Sequence, residues 1–491
     1  MKVSFLHEPE LEFGSGGTHV DIRHGLLRFG PLDVGEPTSA AQLKMGLVGT
    51  EETIDAVRSW FEDCKEGLAA KESRLRNLFA PFPGFSENST FQSSLVFHER
   101  WRSPIRQREI DTVLQHSKGK QMVRDFVSLF LDHAASLTEG GGPMVLVCVP
   151  PRDLLAAVDG TQEGKPDVQD QELDEGTETP DEEVARGPAF HDLLKAGGMR
   201  LGLPIQMVRP YTYGGSGRRG GAKSRRSSQP MQDEATRAWN IHTALYYKAG
   251  GVPWRLLRNA SDLASCFVGI SFYRSIDGER LLTSVAQVFN ERGEGVIVKG
   301  AQAQLSKDDR QPHLSSEDAR ALMKNAIQVY RRERRTSPAR LVVHKTSKLT
   351  AEEQEGFEGA ASEHDIDVIE LLSLRRSFTR FFRVGTYPPL RGTFLSLQPS
   401  KGLLYLRGSV QFFETYPGMY VPRPIEFTVS QSETPLEQLS REMLSLSKLN
   451  WNNTQFDGGE PITLRAARRV GDILKCVPDG GVVQPSYRFY I

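Results

Sequence analysis

The sequence has little cysteine and no pattern that would bring cysteines together. Its four cysteines are widely separated in 491 residues, and two of them, Cys148 and Cys266, lie inside apolar strand-like runs. A cysteine in such a run behaves as a small hydrophobic side chain. The spacing therefore excludes a disulfide framework and a cysteine zinc site, and it favours a reducing compartment.

Signals for export or for membrane insertion are also missing. The N-terminal run MKVSFLHEPELEF does not combine a basic start with an apolar stretch, and no segment has the unbroken apolar length of a membrane span. We therefore expect a cytoplasmic protein that has no membrane partner.

An excess of charge of either sign is absent as well. The 61 basic and 62 acidic side chains give a net charge of −1, so no global positive field points to a polyanionic ligand. Any nucleic-acid site must then be a local patch. A chain of 491 residues with 38% hydrophobic residues is long enough for two or three domains, each with its own core.

Between residues 36 and 260, apolar strands alternate with amphipathic helices. Strands are indicated by KMGLVG, SSLVFHE, PMVLVCVP and LPIQMV, and helices by TIDAVRSWFEDCKEGL and KQMVRDFVSLFLDHAASL. This alternation predicts a mostly parallel sheet that is covered on both faces. In residues 1–35, the runs VSFL, LEF and LLRFG indicate short strands that pair with the sheet of another domain.

Two inserts interrupt the first domain. Residues 159–184 are acidic and contain almost no apolar side chains, which predicts a segment that cannot order itself. Residues 214–230 are basic and rich in glycine and serine. Such an arm either contacts a nucleic-acid backbone or is a solvated linker that balances the acidic insert, and the composition leaves both interpretations open.

Residues 261–491 have the pattern of a second α/β domain. The domain is predicted to begin with a meander of three strands, ASCFVGISFYRS, LTSVAQVFN and GVIVKG. These strands are followed by a helix over 315–335, the strand ARLVVHKT, a helix from Thr350 and the strand IDVIELLSL. Two late helices, PLEQLSREMLSLSKLN and ITLRAARRVGDILK, complete the domain. Three antiparallel strands followed by alternating helix and strand is the order of an RNase H-like fold.

A cluster of anion-binding side chains is predicted in residues 190–251. His191 and Lys195 lie four residues apart on one face of a predicted helix, Gln206 lies in the strand-like run LPIQMV, and Lys248 closes the helix NIHTALYYK before two glycines. Cationic and amide donors of this kind suit a terminal phosphate. Taken singly, His191 and Lys195 are also explained as solvated helix side chains, and Lys248 as a cation at a helix C-terminus.

The order of these residues resembles the guide-binding pocket of the MID domain of Argonaute proteins. The runs MGLVGT, YYKAGGVPWRL, LSLSKLNWNNTQF and PITLRAARRVGDILK are similar to those of short prokaryotic Argonautes, which consist of MID and PIWI domains only. The resemblance implies a Rossmann-like MID domain followed by an RNase H-like PIWI domain. It also implies that His191, Lys195, Gln206 and Lys248 bind the 5′ phosphate of a guide strand.

The same resemblance implies a magnesium ion beside that phosphate. In the resembled family the C-terminal carboxylate helps to bind a divalent cation, so Ile491 would supply this carboxylate here, with Gln206 as the second protein ligand. Oxygen ligands of this kind suit a hard cation such as Mg²⁺. The tail PSYRFYI is expected to be packed, because it is rich in aromatic and branched residues. The alternative is that Ile491 only fills a core.

The second domain is predicted to lack a nuclease centre. RNase H-type cleavage needs carboxylates that hold two divalent metal ions. By resemblance, three of these positions are occupied here by Ser271, Thr346 and Arg468, in the runs GIS, HKT and AR. Asp277 is the candidate for a shifted ligand, although an aspartate in a hairpin turn is far more often a turn residue. Arg468 is either a surface charge or a contact to the backbone of a guide–target duplex.

The resemblance therefore implies a guide-dependent sensor that is not itself an enzyme. Such a protein binds a guide RNA, pairs it with invading single-stranded target DNA and does not cut. Short Argonautes of this kind form a heterodimer with an APAZ-domain partner and assemble further on target binding. The partner carries a TIR, sirtuin-like or nuclease effector, and the first two deplete NAD in abortive defence against plasmids and phages. A guide-dependent nuclease and a guide-independent scaffold are the alternatives.

Overall fold

The computed structural model describes residues 2–36, 39–138, 141–160, 189–214, 232–257, 263–289, 295–382, 388–418, 421–455 and 458–491. The two predicted inserts, residues 159–184 and 214–230, lie almost wholly outside the described residues. Where it is described, the chain forms a four-stranded sheet, a nine-stranded sheet and two smaller ones.

The N-terminal segment contributes to two sheets and to one helix. Strand β1 (Lys2–Phe5) pairs antiparallel at the edge of the nine-stranded sheet, which confirms the predicted pairing with another sheet. Strands β2 (Leu11–Glu12) and β3 (Thr18–His19) form part of a three-stranded sheet. The predicted strand LLRFG is wrong, because it lies in helix α1 (Ile22–Phe29), which Asp21 caps by accepting from the backbone N–H of His24.

The four-stranded sheet is entirely parallel, in the order β5-β4-β6-β7. Its strands are β4 (Gln42–Gly49), β5 (Ser94–Pro104), β6 (Val145–Val149) and β7 (Ile205–Met207). Its helices are α2 (Glu51–Lys65), α3 (Gln107–His116), α4 (Gly119–Ala135), α5 (Arg152–Gly160), α6 (Phe190–Gly198), α7 (Pro210–Tyr213) and α8 (Glu234–Lys248).

Both faces of this sheet are buried, as the predicted alternation of strands and helices requires. On β6, Val147 belongs to the core that contains the apolar side of α2, and its neighbours Leu146 and Cys148 belong to the core that contains α4. Successive side chains of a strand point to opposite faces. The Rossmann-like arrangement is therefore confirmed.

The nine-stranded sheet has the order β1-β16-β17-β18-β15-β14-β9-β10-β11. The strands that follow β7 along the chain are β8 (Arg255–Leu256), β9 (Ser265–Arg274), β10 (Leu281–Phe289), β11 (Gly295–Gln302), β12 (Gln304–Leu305), β13 (Pro312–His313), β14 (Arg340–Lys345), β15 (Val368–Arg376), β16 (Thr393–Gln398), β17 (Lys401–Leu404) and β18 (Ile425–Gln431). The helices are α9 (Ser316–Arg334), α10 (Ala351–Ser362), α11 (Leu436–Leu446) and α12 (Ile462–Leu474).

The strand pairing confirms the RNase H-like order. Strands β9, β10 and β11 form the predicted antiparallel meander, and β14 pairs parallel with both β9 and β15. The sequence analysis does not predict β16, β17 and β18, which are short and are held by pairing with β15 and β1.

Helix α12 joins the two halves of the protein. It packs on β9 and β10 of the larger sheet and contacts α6 beside the smaller one. The approach to β9 is close enough that a Cβ on Gly269 would lie 2.0 Å from the carbonyl oxygen of Thr463, so this position requires glycine. Among the helices that the structure describes, none combines the length and the apolar character needed to cross a membrane.

Candidate anion-binding site

The structure brings the four predicted anion-binding side chains together where the two halves meet. His191 and Lys195 come from α6, Gln206 from the middle of β7 and Lys248 from the last residue of α8. Each of the four is at most 4% exposed. They are therefore buried groups, so His191 and Lys195 are not solvated helix side chains.

Lys248 and Gln206 form the inner side of the site. The Lys248 ammonium donates to Gln206 Oε1, and Gln206 Nε2 donates to the carbonyl oxygen of Met207 at 2.9 Å. Burial, together with the charge of Arg469, lowers the pKa of Lys248 to about 7. Since the hydrogen-bond partner of this ammonium is a neutral amide, an anion that enters the site would stabilise the charged lysine.

Arg469 is a member of this site that the sequence analysis misses. It lies on α12, and its Nη2 is 2.8 Å from Asp192 Oδ1 and 2.6 Å from His191 Nδ1. Its Nε donates to the carbonyl oxygen of Tyr490 at 3.3 Å. The only signal in the sequence is the pair of arginines in ITLRAARR, and adjacent helix residues face different directions, so tertiary packing alone shows which of the two reaches the site.

Asp192 supplies a carboxylate beside the predicted cations. Burial would raise the pKa of this carboxyl, but the Arg469 guanidinium, together with His191 and Lys475, holds the pKa below its ordinary value. Asp192 is therefore ionised and paired across the boundary between the two halves. The sequence analysis does not predict this residue either, because an aspartate in the first turn of a helix has an ordinary structural explanation.

The C-terminal tail reaches the same site. Lys195 Nζ donates to the carbonyl oxygen of Tyr490 at 3.4 Å, and this oxygen also accepts from Arg469. Tyr490 is fully buried and Ile491 is 4% exposed, so the expectation of a packed tail is confirmed. The Ile491 side chain belongs to the main hydrophobic core. That its carboxylate binds a cation stays a prediction.

The residues near Gln206 suit an anion better than a cation by themselves. The amide oxygen of Gln206 accepts from the Lys248 ammonium, and Arg469 adds a second positive charge nearby. In the described part of the chain, no group of three or more His, Cys, Asp and Glu side chains could hold a metal ion.

Comparisons with known proteins identify the fold. No protein-family model matches the sequence, and no curated protein matches it. The structure is similar to that of Clostridium butyricum Argonaute bound to a guide DNA (5′ deoxycytidine) and a 19-mer target DNA, with a TM-score of 0.59 and 13% sequence identity. The fold is Argonaute-like. The match covers 100% of this chain and 55% of the matched chain, so the chain spans about half the length of that Argonaute.

The four-stranded domain thus corresponds to a MID fold and the nine-stranded domain to a PIWI fold, as predicted. In the PIWI-like domain, the three positions that the sequence resemblance compares with nuclease carboxylates, Ser271, Thr346 and Arg468, are neighbours. In the pairing of β14 with β9, Lys345 lies opposite Ile270. The residues that follow them, Thr346 and Ser271, therefore lie close together. Ser284 Oγ donates to the carbonyl oxygens of Ser271 at 3.3 Å and of Ala467 at 2.8 Å. Since Arg468 follows Ala467, its backbone also lies near Ser271.

Two buried glutamates near these positions are already engaged in ion pairs. Glu460 accepts from Arg468 at 2.8 Å and from Arg376 at 3.1 Å. Burial would raise the pKa of Glu460, but Arg468 and Arg376 outweigh it and lower this pKa. Glu353 lies 2.9 Å from Lys345 Nζ, and both side chains of that pair are fully buried. The carboxylates are thus neutralised by cations of the protein.

Asp277 lies in the turn between β9 and β10. Its Oδ1 accepts from the Ser275 hydroxyl and, at 3.0 Å, from the backbone N–H of Glu279. These hydrogen bonds to the residues on either side stabilise the hairpin turn. The geometry gives Asp277 the role of a turn residue.

Proposed function

We propose that this protein is a guide-dependent sensor of invading nucleic acid. It binds a guide RNA by its 5′ phosphate in the site formed by His191, Lys195, Gln206 and Lys248, and it pairs the guide with single-stranded target DNA without cutting. The observation that carries this proposal is that cationic side chains from both domains meet at one buried site.

The charge of the site fits a terminal phosphate. A phosphate monoester carries nearly two negative charges at neutral pH and offers three strong acceptor oxygens. Lys195, Lys248 and Arg469 supply three cationic groups, against which Asp192 is the carboxylate that the described contacts place beside them. The Lys248 ammonium is buried and its hydrogen-bond partner is a neutral amide, an arrangement that is costly without an anion. A phosphate would offset this cost, whereas a hydroxyl end would not.

The absence of cleavage is proposed from the PIWI centre. Two-metal hydrolysis needs several carboxylates around one point, and the neighbouring side chains here are Ser271, Thr346 and Arg468. Glu460 is turned to Arg468 and Arg376 instead of a metal. A cation in place of a metal ligand would repel a second cation. The same guanidinium is suited to a phosphate of the guide–target duplex.

A magnesium ion is proposed to enter together with the guide. Gln206 would offer its amide oxygen and Ile491 its carboxylate, and the phosphate would complete the oxygen ligands of a hard cation. When bound, the ion would neutralise part of the phosphate charge. The protein side chains hold the strand end in place, and none of them is required to transfer a proton.

The further parts of the proposal are supported by the resemblance to short prokaryotic Argonautes. By this resemblance, an APAZ-domain subunit with an effector of the TIR or sirtuin-like kind is the partner, and target binding switches it on. Enzyme activity, most simply depletion of NAD, would then belong to the partner. Co-purification of the chain from its host, followed by mass spectrometry, tests whether such a subunit is bound.

One experiment tests the central claim. The protein is purified from its host, the bound oligonucleotide and its 5′ end are identified, and a labelled complementary strand is added with magnesium. We expect short 5′-phosphorylated RNA, retained target and intact target. Cut target would contradict the proposal and favour a nuclease. In that case, cleavage lost in Asp277→Asn but kept in the exposed-residue variant Asp365→Asn would show that Asp277 acts as a metal ligand.

A further inference from the structure

The contact between Arg469 and His191 has a consequence for the proton of the imidazole ring. Arg469 Nη2 lies 2.6 Å from His191 Nδ1, and the same nitrogen lies 2.8 Å from Asp192 Oδ1. A guanidinium can only donate, and each Nη carries two hydrogens. A hydrogen bond from Arg469 to Nδ1 requires the lone pair of Nδ1, and in a neutral His191 this arrangement leaves the proton on Nε2.

Asp192 is placed to favour the opposite tautomer. Its Oδ1 lies 3.1 Å from His191 Nδ1, close enough to accept a hydrogen bond from this nitrogen. With Arg469 present, the carboxylate is engaged by the guanidinium and Nδ1 is an acceptor. Without Arg469, the carboxylate would draw the proton to Nδ1 and turn Nε2 into an acceptor. An acceptor repels a phosphate oxygen, whereas an N–H binds it.

The groups involved come from different domains. His191 and Asp192 belong to helix α6 of the MID domain, and Arg469 belongs to helix α12 of the PIWI domain. Arg469 is itself fixed by its Nε bond to the Tyr490 carbonyl oxygen, to which Lys195 also donates. The orientation of Arg469 is therefore tied to the packed tail and to a second predicted phosphate ligand.

We propose that Arg469 is a positioning residue that sets the tautomer of His191 across the domain boundary. It keeps the proton on Nε2, the nitrogen that would then donate to the guide phosphate, and Asp192 holds the guanidinium in place. The inference rests on the proposed phosphate pocket and deepens it. It makes selectivity for a phosphorylated guide depend on the contact of helix α12 with helix α6.

The tautomer can be measured without any guide. Long-range ¹H–¹⁵N spectra of protein labelled with ¹⁵N-histidine distinguish a protonated Nδ1 from a protonated Nε2, and His191→Gln identifies the signal. We expect the proton on Nε2 in the unaltered protein and on Nδ1 in Arg469→Gln. A proton on Nδ1 in the unaltered protein would overturn the inference, whatever the variants do.

Guide binding supplies the second measurement. The preference for a 5′-phosphorylated over a 5′-hydroxyl RNA is compared for the unaltered protein, Arg469→Gln and the control Arg441→Gln, an exposed arginine paired with Glu437. We expect the preference to fall at least about tenfold in Arg469→Gln and to stay unchanged in the control. An unchanged preference in Arg469→Gln would overturn the inference.

Two double variants separate positioning from a simple ion pair. Asp192→Asn with Arg469→Gln places an amide donor beside Nδ1, whereas Asp192→Leu with Arg469→Met removes the charges and offers no donor. We expect the phosphate preference to return in the first and not in the second, although both remove the unpaired buried carboxylate. Equal recovery in both would show that Arg469 acts only as the ion-pair partner of Asp192, which would overturn the positioning role.

The failure of the two proposals can be told apart. If the unaltered protein does not prefer a phosphorylated guide, and Lys195→Ala changes nothing, the proposed pocket itself is wrong. If that preference exists and depends on Lys195 but not on Arg469, the pocket stands and only the positioning role is wrong.

Discussion

Two buried lysines, one in each domain, differ in the groups that surround their ammonium. Lys345 in the PIWI domain is fully buried and pairs with the fully buried Glu353 at 2.9 Å. Lys248 in the MID domain is 1% exposed, and its hydrogen-bond partner is the neutral amide of Gln206. Burial lowers the pKa of both lysines, and only for Lys345 does a carboxylate oppose that shift.

The difference separates a structural charge from a binding charge. Lys345 also donates to the Ser347 hydroxyl at 2.6 Å and to the Lys348 carbonyl oxygen at 2.7 Å, so all three ammonium hydrogens can be used inside the fold. Lys248 lies beside Arg469, another cation, and its charge is balanced best by an anion from outside. The PIWI centre is closed by its own ion pairs, and the MID site is suited to a ligand.

The largest effect on stability is expected from breaking the buried ion pair of Lys345 and Glu353. Lys345→Met should lower the free energy of unfolding by about 3–5 kcal/mol, because it leaves the Glu353 carboxylate buried without its partner. Lys248→Met removes a bond to an amide and should cost less than about 2 kcal/mol. Denaturant titrations of both variants, followed by a probe in each domain, test this. The double variant Lys345→Met with Glu353→Leu should recover most of the loss. Equal losses for the two lysines would remove the distinction.

An intermediate effect is expected from removing the binding charges. Lys195→Ala and Lys248→Ala should each weaken guide loading by about 1.5–3 kcal/mol, the range for hydrogen bonds to charged groups. The measurement is the equilibrium binding of a 5′-phosphorylated RNA. Lys324→Ala is a matched control, because this lysine is exposed and pairs with Glu363 on the surface. Affinities that stay unchanged in both pocket variants would reject the site.

A smaller effect on stability is expected when the pH is lowered, because His344 in the PIWI domain is buried. Burial lowers the pKa of His344 from 6.5 to about 3, and its Nδ1 lies 2.8 Å from the Thr463 hydroxyl. Because the unfolded chain binds this proton first, the stabilising contribution is complete above pH 6.5 and is lost as the pH falls towards 3. From pH 6.5 to 5.5 the unaltered protein should lose about 1 kcal/mol more than His344→Gln. Identical pH profiles would contradict the assignment of His344 as a buried neutral residue.

The sequence allowed most of the fold to be predicted, because its signals are local. The alternation of apolar runs and amphipathic helices indicated the parallel sheet, and three consecutive strands indicated the meander. Prediction failed for the run LLRFG, where the cap supplied by Asp21 outweighs the strand-like composition. It also missed β16, β17 and β18, whose short runs are stabilised by distant partners.

The sites were predicted only in part, for a related reason. His191, Lys195, Gln206 and Lys248 were named from their order along the chain, and the structure brings them together. Arg469 and Glu460 were not named, since nothing local distinguishes a helix arginine or a loop glutamate that crosses to another element from one that faces water. Their roles depend on where α12 lies between the two sheets.

The amino-acid sequence by itself determined the two α/β domains and the residue types available at each candidate site. These properties follow from periodicity and composition, which are fixed along the chain. Only the tertiary structure decided which charges meet. Arg469 reaches Asp192, Arg468 reaches Glu460 and Lys345 reaches Glu353 because helices and strands distant in sequence pack together. Electrostatic interactions depend on distance and burial, and neither can be read from the order of residues along the chain.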